Sequence, residues 1–126
     1  MKIAISSTGK SLESEIDARF GRCPYFLIVD VDNKEIKNAK TIENTAAGQM
    51  GGAGITAAEI VANEKVNAVI TANLGPRAFS VFGQFGIKVY QGRGKIKDVI
   101  REFIEGKLIE MINSTGPMRA GFKESV

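Results

Sequence analysis

Cys23 is the only thiol in a chain of 126 residues that has no histidine, so it is the one side chain here able to bind a soft metal strongly. A single cysteine makes no internal disulfide. The usual zinc and copper sites draw on histidine or several thiolates and cannot be assembled from this chain alone. Met50, between Gly48 and Gly51, offers a thioether as a second soft donor. Each has a plainer reading, a buried hydrophobe for the cysteine and an idle loop residue for the methionine, and residue type alone does not separate them. Arginines cluster nearby, with Arg19 and Arg22 just before Cys23 and Arg77 and Arg93 beside later glycine turns. Catalysis has little to work with. No histidine can act as general base, Val29 stands six residues after Cys23 where a phosphatase loop needs arginine, and residues 2–6 hold no carboxylate for magnesium.

Other motifs fall short on spacing. Ser7-Thr8-Gly9-Lys10-Ser11 resembles the end of a P-loop, but the required earlier glycine falls at Ala4. Gly92-Arg93-Gly94 is too short for a dinucleotide fingerprint, because Lys97 occupies the third glycine position. Asp30 and Asp32 suit a solvated turn. The glycines at 48, 51, 52 and 54 favour close backbone approach to a ligand over simple slack.

The elements that must position these residues follow from periodicity. Lys2 to Ser6 alternates as a first strand. Tyr25 to Val31 is apolar on both faces and predicts a central strand, and Asp32-Asn33-Lys34 turns it into an edge strand over Glu35 to Ile42, guarded by Lys37 and Lys40. A loop from Asn44 to Gly54 leads to a helix over Ile55 to Lys65, and Val66 to Thr71 is a buried strand. Gly75-Pro76 starts a second helix with Ala78, Phe79, Val81, Phe82 and Phe85 as its stripe, closed by Gly86. Ile87 to Tyr90 is a short strand. A third helix carries Ile96, Val99, Ile100, Phe103 and Ile104 and stops at Gly106. The expected architecture is α/β, with a five-stranded mixed sheet and three helices in a single domain over 1–106. Residues 107–126 read as a mobile C-terminal extension, in which Leu108, Ile109, Met111 and Ile112 can pack as an extended segment.

This order predicts where the loops meet. A meander of the first three strands and right-handed crossovers to the later two put four strand carboxyl ends on one sheet edge. There the connector before Cys23 joins the glycine loop, the Asn73-Leu74-Gly75 turn and the Gln91 to Gly94 turn. The last three loops lead into helix N-termini, where free N–H groups and the helix dipole favour negative charge. With Arg19, Arg22, Arg77, Arg93 and Lys95 they form an anion-receptive rim. Because Cys23 precedes the antiparallel strand it belongs to that rim, and a thiolate beside an anion site is what an iron-sulfur cluster needs.

Composition sets the outer limits. A 44% hydrophobic content at this length fits one core. A net charge of +3 without a Lys/Arg block argues against nucleic acid, and Phe26 to Val29, the longest strongly apolar run, is far below a membrane span. A cytoplasmic location is expected.

The segments MKIAISSTG, DARFGRCPYFLIVD, GQMGGAGI, VNAVITANLGPRAFSVF and GIKVYQGRGKIKDVI, in that order, resemble the dinitrogenase iron-molybdenum cofactor biosynthesis family from Met1 to about Gly106. The resemblance implies a ribonuclease-H-like fold without nuclease activity. It further implies a non-catalytic carrier that holds an iron-molybdenum or related iron-sulfur cluster, or a precursor, as cargo for a cytosolic acceptor protein. Cys23 and Met50 are the candidate metal ligands. Arg19, Arg22, Gly51, Gly52, Gly54, Asn73, Gly75, Gly92 and Gly94 are the candidate surround, with Arg22 compensating charge. Competing readings are a phosphate- or nucleotide-binding regulatory module using the same helix N-termini, and a scaffold that binds protein at its sheet edge.

Overall fold

The structure, a computed structural model, describes residues 1–115. Six strands among them form one sheet in the order β3-β2-β1-β4-β5-β6. These are β1 (Lys2–Ser7), β2 (Tyr25–Asp32), β3 (Glu35–Glu43), β4 (Ala68–Thr71), β5 (Lys88–Gln91) and β6 (Ile109–Glu110). β2 runs antiparallel to β1 and β3 antiparallel to β2, while β4 and β5 run parallel to β1. The carboxyl ends of β1, β3, β4 and β5 therefore share one edge, as the element order predicts.

The expected count of five strands is corrected to six. β6 adds antiparallel to β5, pairing Gln91 with Ile109, and the Met111 N–H donates to Val89 O. Met111, 7% exposed, joins the core, which supplies the apolar burial that holds so short a strand in place. The rest of the extension read as mobile, 116–126, lies outside the described residues.

Three helices cover the sheet: α1 (Ala53–Ala62), α2 (Pro76–Gln84) and α3 (Ile96–Ile104). Strand side chains alternate between faces, and the two cores follow that period. Ala4, Phe26, Ile28 and Val69 pack with Ala57 and Val61 of α1 and Phe82 of α2. Ile3, Ile5, Leu27 and Ile70 pack with Val99 and Ile100 of α3. α1 begins two residues before the expected Ile55, because Gly52 takes φ +71 and turns the chain sharply enough for Ala53 to enter the helix. Its small residues let it lie close to the sheet and to α2. No helix among the described residues is long and apolar enough to cross a membrane.

The division of helices between faces decides where the rim loops go. The β3-α1-β4 and β4-α2-β5 crossovers advance along the sheet in the same direction, so the right-handed rule puts α1 and α2 on the same face. β6 is antiparallel to β5, which frees α3 from that rule, and it covers the other face. One edge thus feeds two separate ends.

Candidate functional site

On the α1/α2 face the chain builds a cleft of about 410 Å³ from three pieces. Gly52 to Ile55 supply the N-terminal turn of α1, Asn73 to Ala78 supply the turn and first residues of α2, and Ala18, Phe20 and Gly21 come from the connector between β1 and β2. Gly52 caps α1 and Gly75 caps α2, neither with a side-chain hydrogen bond to the helix. The N–H groups of Gly54, Ile55, Arg77 and Ala78 find no acceptor among the described residues. Two helix N-termini therefore open onto one space with their positive ends unspent.

The connector is held against α1 by specific contacts. Phe20, Gly21 and Arg22 form a 3-10 turn whose Phe20 ring packs on Phe26 at 5.1 Å and on Phe82 at 5.6 Å between centroids. An added Cβ at Gly21 would stand 2.9 Å from the Gly54 nitrogen, so only glycine lets this turn lie on α1. Asn44 fixes the turn from below, its Nδ2 donating to Gly21 O at 3.2 Å and Cys23 O at 2.8 Å. Arg22 Nη1 donates to Ala47 O at 2.9 Å and to Gln49 O, tying the glycine loop to the same turn. These bonds order the walls before any ligand arrives.

Charge in the cleft is one-sided. Arg77 is exposed, and no carboxylate lines the space. Arg19 is already engaged: the Asp17 carboxylate, 5% exposed, accepts from Arg19 N at 2.8 Å, Nε at 3.1 Å and Nη2 at 3.0 Å. That hydrogen-bonded pair raises the Arg19 pKa and leaves little net charge. Arg22 directs its Nη1 at the carbonyls of Ala47 and Gln49.

Of the residues expected to act together, Gly52, Gly54, Asn73 and Gly75 line the cleft. The others stand elsewhere. Gly51 and Met50 lie outside on the loop, and Met50 is 99% exposed with its thioether in solvent. Gly92 is pressed under α3 on the opposite face, where a Cβ would meet Val99 Cγ1 at 2.6 Å. Gly94, with φ +98, shapes a turn whose carbonyl accepts from Ile16 N at 2.9 Å. α3 caps itself on the connector, Ile96 N donating to Ser14 O and Lys97 N to Leu12 O.

Cys23 lies deepest of the expected site residues. It sits at the rim in sequence but is 0% exposed, its Sγ donating to Phe20 O at 3.2 Å with Asn44 Nδ2 at 3.9 Å. Burial pushes the thiol up to about 12, so at neutral pH it is protonated and enclosed. In this geometry its side chain is packed as part of the core on the α1/α2 face. Among the described residues no group of three or more Cys, His, Asp or Glu is arranged to hold a metal ion. What the cleft offers an anion is backbone N–H and guanidinium.

Of two further residues that shape the cleft, Arg77 was expected in the rim but not among the candidate binding residues, and Gly21 was not expected at all. Arg77 directly follows Gly75-Pro76, and its place at the second helical position signals an anion contact. Gly21 gave a weaker signal, since nothing in Phe20-Gly21-Arg22 shows which backbone it must approach.

Comparison with known proteins bears on this geometry. The chain is 48% identical over 109 residues to the uncharacterised protein MJ0580 of Methanocaldococcus jannaschii, covering 86% of this chain and 89% of the relative. MJ0327 of the same organism is 33% identical over 114 residues, covering 90% and 96%. The apo form of the orange protein from Desulfovibrio gigas matches with a TM-score of 0.83 at 28% identity, over 91% of this chain and 96% of that one. The model of the dinitrogenase iron-molybdenum cofactor family matches residues 1–106, and with these relatives at hand the chain belongs to that family.

Proposed function

We propose that the cleft holds an anionic metal cluster of iron-molybdenum type, or a precursor of one, as cargo for a cytosolic acceptor protein. The observation that carries this reading is the meeting of two uncapped helix N-termini and Arg77 on one cleft lined by no carboxylate. Such a site binds through charge and N–H donors at the sulfide or oxo surface of a cluster, without displacing its bridging ligands. Release then needs no bond to protein to break, which suits a carrier. The lining contains no His, Asp, Glu, Lys, Cys or Tyr, so no group there can transfer a proton or attack at neutral pH, and binding is the better account than catalysis. Family membership supports the choice of cargo. The order β3-β2-β1-β4-β5 with β2 reversed supports the ribonuclease-H-like assignment.

The test is anaerobic binding of tetrathiomolybdate, a soluble molybdenum-sulfur anion, followed by metal analysis after desalting. Wild type should retain the metal. Arg77→Glu should bind roughly thirtyfold more weakly, about 2 kcal/mol for reversing a charge against an anion. Equal retention by both would remove the cleft from the mechanism, and binding of inorganic phosphate in preference would favour a phosphate-binding module instead.

A further inference from the structure

β3 ends the strand order and has no neighbour on its outer side among the described residues, and Glu35 to Lys40 and Glu43 are exposed. Its backbone groups divide by alternation. Asn44 N donates to Pro24 O, and in an antiparallel ladder every second pair carries the bonds, so Ile42, Lys40 and Asn38 turn theirs toward β2. Ala39, Thr41 and Glu43 are left with N–H and C=O directed outward, where no described residue meets them. An open edge of this kind pairs with another strand unless charge or distortion blocks it.

Here the block covers only half of the strand. The β2-β3 register slips at Asp30/Val31 and leaves Lys37 as an extra residue, so the bend falls before Asn38 and spares Ala39 to Glu43. The guarding lysines are engaged within the chain, Lys40 Nζ on Glu64 Oε1 at 2.9 Å and Lys37 Nζ on Glu35 Oε1 at 3.1 Å. Glu43 has no ion pair among the described residues. With Lys10, Tyr25 and Thr41 it lines a depression of about 280 Å³ beside the edge.

We propose that this edge pairs with the same edge of a second copy of the chain, antiparallel about Thr41, joining two six-stranded sheets into one. That register uses every outward group of Ala39, Thr41 and Glu43 and needs nothing beyond the bulge. It sets Thr41 against Thr41, Glu43 against Ala39 and Lys40 against Ile42, so no like charges stand directly opposite. Glu43 then lies diagonal to Lys37 of the second copy, on the face where the depression opens, and Lys37 exchanges an exposed partner within its own chain for it. Lys40, diagonal to its own copy on the other face, is drawn aside by Glu64. Because the paired strands run antiparallel, the two clefts point to opposite ends and both stay open. The inference therefore stands apart from what the cleft binds.

Sedimentation equilibrium of the full chain from about 10 μM to about 1 mM tests the edge, over the range in which a contact of one short strand pair associates. Wild type should pass from monomer to dimer. Glu43→Lys and Lys37→Glu should each dimerise about tenfold more weakly, because two diagonal attractions become repulsions, and an equimolar mixture of the two variants should recover wild-type strength as a mixed pair. Thr41→Pro removes an outward N–H for which no described residue is the acceptor, and it should leave a monomer at every concentration while circular dichroism keeps the wild-type strand content. A wild type that stays monomeric throughout, single charge variants as strong as wild type, or a mixture no stronger than the single variants would each overturn the pairing.

Discussion

The helix N-termini on the two faces of the sheet are finished in opposite ways. α3 is sealed: the connector lays Ser14 O and Leu12 O on its first N–H groups, and Glu13 reaches Lys97 Nζ at 2.9 Å and Lys95 Nζ at 3.3 Å. α1 and α2 are left open, with no side-chain cap and a cleft in front of them. All three begin after glycine turns at the same sheet edge. A glycine before a helix marks a place where backbone can come close, and what comes close is decided by tertiary structure. At α3 the visitor is the protein's own chain; at α1 and α2 the space remains for a ligand.

The sharpest way to break this comparison is to add one methyl group on each side. At Gly92 a Cβ meets Val99 Cγ1 at 2.6 Å and Ile70 Cγ2 at 3.0 Å, both on buried β-branched side chains that cannot swing away. Gly92→Ala should cost about 2 kcal/mol in urea unfolding, or roughly 8 °C in the thermal midpoint. At Gly75 the same methyl meets nothing within 4 Å, and φ is −71. There the loss of cap preference and the gain from a stiffer unfolded chain oppose each other, so Gly75→Ala should stay within about 0.5 kcal/mol of wild type. Equal losses would mean that the cleft is as tightly filled as the α3 end.

The sequence displayed most of the fold because its strongest signals are local. The apolar stripe of α2, Pro76 at its start and the two-sided apolar run of β2 each declare their element without outside help, and the β2-β3 hairpin follows from Asn33 and Lys34. β6 gave only a weak signal, since two residues have no period and its stability comes from Met111 in the core. The site was harder. Periodicity places the carboxyl ends of the strands on one edge, but the face taken by α3 depends on how β6 pairs, and that alone separates Gly92 and Gly94 from Gly52 and Gly75. The depth of Cys23 was hidden for a related reason: rim position in sequence says nothing about depth, and Phe20 and Asn44 close over its sulfur.

A smaller effect tests that depth directly. Cys23→Ala should leave tetrathiomolybdate binding within about twofold of wild type while lowering stability by about 1 kcal/mol for the lost sulfur contacts. The thiol is also a pH probe. Its folded pKa of about 12 lies above the ordinary 9.0, so its contribution to stability is complete below pH 9 and is lost as pH rises toward 12. Wild type should therefore lose its margin over Cys23→Ala within that window, at up to about 1.36 kcal/mol per pH unit, and fall below the variant before pH 12. Rapid reaction of native protein with a thiol reagent at pH 8 would show an accessible sulfur and restore the case for it as a ligand.

The smallest effect belongs to the α3 seal. Lys97 first and Lys95 second hold the Glu13 carboxyl below its usual 4.5, so the contact contributes above the normal carboxylate range and is lost as pH falls through the lowered folded value. Glu13 is fully exposed, and solvent screens the pair. Glu13→Gln should thus shift the unfolding midpoint slightly at low salt and not at all in 1 M sodium chloride, and the small difference from wild type should begin to shrink as pH falls below about 4.5 and disappear only below the lowered folded value. Anion affinity at the cleft should be unchanged, because the seal faces the other side of the sheet. If removing Glu13 instead altered that affinity as much as Arg77→Glu does, the two ends would share one electrostatic field and the anion would sit over α3 as well.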